Sequence, residues 1–295
     1  MPSRTRRALA APAVAAGLLA AALAAVPSAG AVTGGVPDGQ AHPAVAVLLV
    51  GDGRGTQRCS ATLVSPTVLL TAAHCVQDRV GLAAVSFESA LAGTAAELSA
   101  LPYPEDPARG YRAADLAGRD DWHAGTAHAH PEYSGFTDAQ RWLDVGVVVL
   151  DEPVPGPAPA ALAPEGLLDG RPARELNGEL FTVVGYGSEV RADGSGRPLG
   201  EDVPLLRRSA QVAAQRLAPQ LLMVQGNAHD ARGTGGPCTG DSGGPALDAD
   251  GRIVAVTSWS STPLCRSRAG LQRVDVPQVQ DWLAGHGVPV AGAGA

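Results

Sequence analysis

The sequence predicts an all-β protein. Its 295 residues include 37 glycines and 24 prolines, a composition that suits many short strands joined by turns better than long helices. Short apolar runs separated by turn residues support the same prediction. With 45% hydrophobic and 17% charged residues, the chain has enough apolar material for a folded core. We therefore expect a globular domain built mainly from strands.

The first 31 residues have the three parts of a secretory signal peptide. They begin with arginines, continue in an alanine-rich apolar run over 8–26, and end in the small residues Ala29, Gly30 and Ala31. A transmembrane anchor is the alternative, because the apolar run is just long enough to span a bilayer. The alanine content and the small-residue pattern favour removal. We predict that 1–31 is a signal peptide and that the mature protein is secreted, with no membrane attachment, and Arg6 next to Arg7 leaves the twin-arginine export route open.

The rest of the chain predicts two β units followed by a short helix. Glycine-rich residues 51–55 suit a hairpin turn, and five prolines in 152–164 suit a linker between units 32–151 and 165–285. Pro277 and Gly285 have the types of residue that begin and end a helix. We expect 286–295 to be a flexible tail. The predicted strands are 45–50, 61–64, 68–71, 145–150, 181–186 and 253–259.

Charge and cysteine content exclude several classes of function. The net charge is -7, with 29 acidic residues against 22 basic ones, so a nucleic-acid partner or a cationic membrane-binding patch is not expected. In an exported chain the four cysteines predict disulfides rather than metal ligation. None of them has the C-x-x-C spacing of a zinc site, and three pairings remain open.

Three segments combine residue types that support nucleophilic catalysis. His74 follows an apolar strand, Asp144 precedes another, and Ser242 is flanked by glycines that allow backbone N–H groups to converge. Taken singly, they could be a satisfied core histidine, a strand-end cap and an ordinary turn. A serine hydroxyl, however, becomes a good nucleophile when a histidine accepts its proton and a carboxylate orients that histidine. Their joint occurrence therefore favours a catalytic triad.

The motifs resemble those of chymotrypsin-like (trypsin family) serine endopeptidases, in particular secreted bacterial members. TAAHC at 71–75, DVGVVVL at 144–150 and GDSGGP at 240–245 stand in that family's order, and VGYG at 184–187 and Ser258-Trp259 are related to its motifs. The resemblance extends from Val32 to about Leu283. It implies two packed antiparallel β-barrels with a short C-terminal helix, polypeptide substrates, no cofactor or metal, a monomer, and a possible proteinaceous inhibitor.

The resemblance also implies roles for individual residues. Ser242 would be the nucleophile, His74 the general base and then acid, and Asp144 the residue that orients His74. The N–H groups of Gly240 and Ser242 would form the oxyanion hole. Disulfides would join Cys59 to Cys75 and Cys238 to Cys265, and cleavage after residue 31 would free the amine of Val32 to pair with Asp241. Cleavage elsewhere, which would leave a short propeptide, is the alternative.

By the same resemblance, Gly236 lies at the base of the pocket for the residue before the scissile bond (P1), and Ser258, Trp259 and Ser260 form its wall. An uncharged pocket narrowed by Ser260 predicts small to medium apolar P1 residues. This preference would change if a loop carboxylate such as Asp230 reached the pocket.

Other hypotheses compete with this interpretation. One is a catalytically silent binding module on the protease fold. Another is an α/β-hydrolase-type esterase, since Gly240-x-Ser242-x-Gly244 fits its motif although the residue order does not. Metal binding by His123, His128 and His130 is a minor alternative. We further expect 103–121 to be a solvated insertion, and Arg207-Arg208 to be exposed strand-edge charge or, less favoured, a nick site.

Overall fold

The computed structural model describes residues 32–51, 56–77, 82–92, 101–106, 108–188, 205–227, 230–262 and 265–290. The predicted signal peptide, 1–31, and the end of the predicted tail, 291–295, lie outside the described residues.

The regular elements are mostly short strands, as the glycine and proline content predicts. In chain order they are β1 (Val36–Pro37), β2 (Val45–Gly51), β3 (Thr56–Ser65), β4 (Val68–Thr71), α1 (Ala73–Val76), β5 (Leu82–Ser86), β6 (Ala90–Ala92), a 3₁₀ helix (Ala113–Leu116), β7 (His123–Ala129), β8 (Gly146–Leu150), α2 (Ala173–Leu176), β9 (Leu180–Gly185), β10 (Leu205–Leu206), β11 (Arg208–Leu217), β12 (Leu221–Gln225), β13 (Pro245–Leu247), β14 (Ile253–Ser260), β15 (Arg268–Arg273) and α3 (Pro277–Gly285).

Six antiparallel strands close into the first barrel, in the order β2-β3-β4-β8-β7-β5. Strand β2 is buried along its whole length because its two faces have different apolar neighbours. Leu48 and Val50 belong to a cluster formed within this barrel. Val47 and Leu49 share a cluster with Val184 of β9, which joins the two barrels. A continuous apolar run, rather than an alternating one, is the sequence pattern that such two-sided burial requires.

The second barrel consists of β11-β12-β15-β14-β13-β9, and it closes where β9 pairs with β11 over Arg208–Gly185 to Ala213–Leu180. Its interior is apolar, and Phe181, Val212 and Leu271 are fully buried. Strand β1 extends this sheet by pairing with β11. The predicted all-β fold of two packed antiparallel barrels is therefore confirmed.

The segment after β8 connects the barrels, and α3 follows the second one. Ala160 N–H donates to Leu63 O of the first barrel, while Leu162 forms a bridge with Ile253 of the second. Helix α3 begins with Pro277 and buries Val279 and Leu283, and Val288 beyond it is also buried. In the part of the chain that the structure describes, no helix is both long and apolar enough to cross a lipid bilayer.

Arg207 and Arg208 are buried, so the expectation of exposed strand-edge charge is wrong. Neither side chain has measurable exposure. Arg207 Nε donates to Asp38 Oδ2 at 2.9 Å, and its other nitrogens donate to backbone carbonyls that include Val45 O. Arg208 Nη1 donates to Gly35 O at 2.8 Å. A buried charge with a carboxylate and carbonyl partners is tolerated, and here it fixes the N-terminal segment to β11.

The stretch 103–121 is anchored to the first barrel rather than solvated throughout. Tyr111 is fully buried, and its hydroxyl donates to Pro102 O at 2.9 Å. Leu116 of the 3₁₀ helix is buried as well. The charged residues lie on the outer side, where Arg112 pairs with Glu105 at 3.0 Å. The high charge content of this stretch predicted full exposure, although Tyr111 and Leu116 are buried.

Candidate active site

Asp144 and His74 meet at one end of the first barrel. Asp144 immediately precedes the buried start of β8 and has no solvent exposure, while His74 lies in α1 directly after β4. One carboxylate oxygen, Oδ1, accepts the backbone N–H of His74 at 2.9 Å, and the other, Oδ2, lies 2.8 Å from His74 Nδ1. A carboxylate facing Nδ1 favours the tautomer with the proton on Nδ1, which leaves Nε2 as a proton acceptor.

Two further side chains hold Asp144 in place. Ser258 Oγ–H donates to Asp144 Oδ2 at 2.5 Å, and Trp142 Nε1–H donates in turn to Ser258 Oγ at 3.0 Å. The backbone N–H of Asp144 donates to the buried Gln272 Oε1 at 3.1 Å. The carboxylate therefore accepts three hydrogen bonds, which is how a buried charge is stabilised. From the sequence alone, Ser258 is assigned only to the pocket, and Gln272 is not identified because it lies 128 positions from Asp144 in the chain.

The backbone of Ser242, in the loop that leads into β13, lies close to the segment that carries His74. Cys75 Sγ is 3.9 Å from His74 Nε2 and 3.8 Å from Ser242 O. Gly243 has a φ of +80°, and a Cβ there would lie 2.1 Å from Thr71 Oγ1. Only glycine allows the serine loop to approach the histidine segment this closely. The structure thus brings together the three residues that the sequence analysis selected.

Hydrogen bonds to the carbonyls of Thr239 and Asp241 set the directions of the Gly240 and Ser242 N–H groups. In a trans peptide the C=O and N–H groups point in opposite directions. Thr239 O accepts the N–H of Ser188 at 2.7 Å, so the Gly240 N–H points away from Ser188. Asp241 O accepts the N–H of Gly244 at 2.9 Å, which turns the Ser242 N–H away from Gly244. Gly240 and Ser242 both line one cavity, where the backbone N–H groups of an oxyanion hole would bind a developing negative charge.

Asp241 is enclosed behind this loop. Its carboxylate accepts the N–H of Gly187 at 2.7 Å and the N–H of Cys238 at 2.8 Å. Burial raises the pKa of Asp241 to about 7, although these hydrogen bonds and one from the backbone of Val32 lower it. Val32 is itself buried, with a φ of +56°, and Thr33 beside it pairs with Gly236. The structure therefore places Val32 at Asp241 while the preceding peptide bond is still intact.

Two disulfides fix the loops around the site. Cys59 is bonded to Cys75 and Cys238 to Cys265, with Cα–Cα distances of 6.3 and 5.0 Å. Closing the loop between Cys238 and Cys265, whose sequence separation is 27, stabilises the fold by about 3 to 4 kcal/mol in the chain-entropy model. Cys59, His74 and Cys75 lie close enough to suggest a metal site, but the disulfide removes both thiolates that such a site needs.

The cavity beside Ser242 has a volume of about 990 Å³ and includes Ser258, Trp259 and Ser260 in its lining. Gly236 is not among its lining residues; a Cβ there would lie 2.2 Å from Gly226 Cα, so Gly236 is packed beside the cavity. Asp230 does not line it either, and this carboxylate pairs with Arg232 at 3.4 Å.

The other candidate histidines do not converge. His123 contacts Phe87, with ring centroids 6.1 Å apart, while His128 contacts His286 and His130 contacts Trp282. Burial lowers the pKa of His130, and its Nδ1 accepts the N–H of Glu132 at 3.2 Å. The structure thus gives these three histidines separate partners.

An aromatic group covers His74 from the solvent side. The ring of Phe136 lies 5.5 Å from that of His74, and it also contacts Tyr133 and Trp142. Phe136 is 42% exposed, the kind of exposed aromatic that a bound ligand can cover. Phe136 is not identified from the sequence, although the three aromatic residues Tyr133, Phe136 and Trp142 shortly before Asp144 were the available signal.

Comparison with known proteins connects this geometry to described families. A family described as "Trypsin-like peptidase domain" matches residues 59–256. A curated protein named "Trypsin" from Saccharopolyspora erythraea is 25% identical over 224 residues, which are 75% of this chain and 82% of that protein.

Solved structures show the same fold at lower identity. The alignment with a collagenase covers 90% of this chain and 99% of the collagenase chain, with a TM-score of 0.59 and 18% identity. Human heparin binding protein covers 89% of this chain and 100% of its own, with a TM-score of 0.58 and 19% identity. A Glu endopeptidase covers 86% of this chain and 96% of its own, with a TM-score of 0.54 and 14% identity. At these identities the likeness establishes the fold.

Proposed function

The chain belongs to the trypsin-like peptidase family, and we propose that it hydrolyses peptide bonds as a serine endopeptidase, through Ser242, His74 and Asp144. The observation that supports this most strongly is the hydrogen bond of 2.8 Å between His74 Nδ1 and the fully buried Asp144, close to a serine that lines a cavity. We also propose that the protein is secreted after loss of 1–31, a localisation consistent with its two disulfides.

In this mechanism His74 Nε2 accepts the proton of Ser242 Oγ as the oxygen attacks the substrate carbonyl. Asp144 holds His74 in the required tautomer and stabilises the imidazolium that forms. The N–H groups of Gly240 and Ser242 stabilise the negative oxygen of the tetrahedral intermediate. Its C–N bond then breaks as His74 donates the proton to the leaving amine, which yields an acyl-enzyme. Water then takes the place of the amine: His74 accepts a proton from the water as it attacks the acyl carbon. The ester C–O bond breaks as His74 donates that proton to Ser242 Oγ, which releases the acid and restores the serine.

Labelling with a fluorophosphonate probe tests this proposal directly. The purified mature protein is expected to form an adduct at Ser242, located by peptide mapping, because the probe reacts with an activated serine hydroxyl. The His74→Ala variant is the matched control and is expected to label far more slowly. Folded wild-type protein that does not label at Ser242 would instead support the catalytically silent binding module.

We expect Ser258→Ala to lower kcat. The variant loses one of three hydrogen bonds to the Asp144 carboxylate, and a hydrogen bond to a charged group is worth about 1.5 to 3 kcal/mol, so kcat should fall by roughly tenfold to a hundredfold. Steady-state kinetics on a peptide substrate give the value. Trp142→Phe, which removes the donor to Ser258 but no bond to Asp144, should have a smaller effect. Equal losses in the two variants would contradict the assigned role of Ser258.

Substrate preference at P1 is a separate prediction. Ser258, Trp259 and Ser260 line the cavity, and none of them carries a charge. A cationic P1 side chain would lose water without gaining a counter-charge, which is costly. Small to medium apolar residues should therefore be preferred to Arg and Lys, and Ser260→Gly should shift the preference toward larger residues. The preference is measured as kcat/KM for matched substrates with Ala, Leu, Phe or Arg at P1. Fastest cleavage of the Arg substrate would overturn this prediction.

A further inference from the structure

Arg58 gives the cavity beside Ser242 an uneven charge distribution. It lies on β3 next to Cys59, and its Nη2 is 3.5 Å from Ser188 Oγ. Among the described residues that line the cavity, Arg58 is the one that carries a formal charge at neutral pH; the others are apolar or neutral polar residues. In a chain with a net charge of -7, this local positive charge is opposite in sign to the protein as a whole.

The charge lies close to where the scissile bond would be held. If Gly240 had a Cβ, it would lie 3.1 Å from Arg58 Nε, and Gly240 lines the cavity beside Ser242. Ser60 follows Arg58 by two residues on β3, and its N–H donates to Ser242 O at 2.8 Å. Strand β3 therefore borders Ser242, and Arg58 is within reach of a substrate group bound next to the reacting carbonyl.

Arg58 and the predicted P1 wall lie on opposite sides of Ser242. The peptide unit between Ser242 and Gly243 directs its C=O to Ser60 of β3 and its N–H to Thr257 O of β14, at 2.8 Å in each case. These two directions are opposite in a trans peptide. Because 258–260 continues β14, a substrate whose acyl part lies along that strand directs its leaving-group part toward β3.

We propose that Arg58 selects substrates with an acidic side chain at the first or second residue after the scissile bond. The proposal rests on the proposed function, since it needs a peptide bound across Ser242. Successive residues of an extended chain are about 3.3 Å apart, so the long arginine side chain is within reach of both positions. A carboxylate there would gain a charge-assisted hydrogen bond with the guanidinium.

The free amine of Val32 would change the charge that Asp241 presents to Arg58. In the uncut chain Arg58 also acts on Asp241, whose pKa it lowers. Once Val32 carries an ammonium group, Asp241 has a counter-charge of its own, so the field of Arg58 is less compensated. The selectivity should accordingly be measured on the mature protein.

Peptides that differ only in Glu or Gln, compared once at the first and once at the second residue after the scissile bond, test this proposal. For the mature wild type we expect the Glu peptide to have a kcat/KM about three to ten times higher at low ionic strength. The ratio should approach one in about 1 M salt, where screening extends over only about 3 Å. Arg58→Gln should abolish the preference and Arg58→Lys should retain part of it. The matched control is Arg216→Gln, an exposed arginine of β11 outside the cavity lining, which should leave the ratio unchanged.

The outcomes separate this proposal from the proposed function. A Glu/Gln ratio of one at both positions in the wild type, or an unchanged ratio in Arg58→Gln, overturns the role of Arg58 while hydrolysis by Ser242 stands. If Arg58→Gln does not fold, Arg58→Lys and the salt dependence of the wild type test the role of Arg58. A Glu/Gln ratio that salt does not change overturns that role. A protein that neither cleaves peptides nor labels at Ser242 overturns both proposals.

Discussion

Replacement of Ser242 by alanine is expected to lower peptide hydrolysis by several orders of magnitude while the protein remains folded. The change removes only the nucleophilic oxygen. The contacts that hold this loop are made by the backbone, through Ser242 O to the Ser60 N–H and through the Gly243 N–H to Thr257 O. The oxyanion hole and substrate binding persist in the variant, so a residual acceleration of about 10³ to 10⁴ over the uncatalysed reaction should remain.

Values of kcat/KM for one peptide substrate measure this loss, and the thermal unfolding midpoint checks the fold. Ser267→Ala is a suitable control because Ser267 is a partly buried serine outside the cavity lining. Its kcat/KM should stay close to that of the wild type. Turnover in Ser242→Ala above about a tenth of the wild-type value would refute the nucleophile, since removal of a triad member costs far more than that.

Strands that are buried on both faces were predictable from the sequence. A strand without an apolar pattern, which forms only because its neighbours pair with it, was not. The run that became β2 is apolar throughout because it faces both the barrel interior and the second barrel. Strand β7 contains alanine, glycine, threonine and histidine, and no periodic pattern marks it. It is a strand because β5 and β8 pair with it on either side. Gly125 of β7 even lacks space for a side chain, since a Cβ there would lie 2.8 Å from Val149 O.

The reacting residues were predictable from the sequence, whereas the contacts of the residues around them were not. Ser242 and His74 stand in short motifs whose small neighbours reflect local geometry, such as the close approach of Gly243 to Thr71. The hydrogen bond from Ser258 to Asp144 joins residues 114 positions apart in the chain. The burial of Arg207 depends on Asp38, 169 positions away. Nothing in the local sequence of either residue indicates its partner, so these contacts become visible only in the folded chain.

Mature protein that begins at Val32 is expected to be active, and protein that retains residues before Val32 is expected to lose at least about a hundredfold in kcat/KM. The reason lies in Asp241, which is buried directly before Ser242. A free ammonium on Val32 would supply its counter-charge, and an uncompensated buried carboxylate costs several kcal/mol. Without that pairing the N–H groups of Gly240 and Ser242 are held less firmly. N-terminal sequencing of secreted material and kinetics of the two forms test both parts.

The pH dependence of unfolding tests the same pairing without an assay of activity. In the uncut chain the pKa of Asp241 is raised from 3.8 to about 7 by burial. Between these values the folded state binds a proton that the unfolded state does not, so the free energy of unfolding falls as pH rises through this window. The loss should approach several kcal/mol above pH 7. Urea denaturation from pH 4 to pH 8 should show this decline in the uncut chain and much less of it in its Asp241→Asn variant. Because an ammonium on Val32 stabilises the ionised carboxylate, cleavage should also weaken the decline. Equal pH dependence in all three proteins would mean that Val32 and Asp241 are not an activation pair.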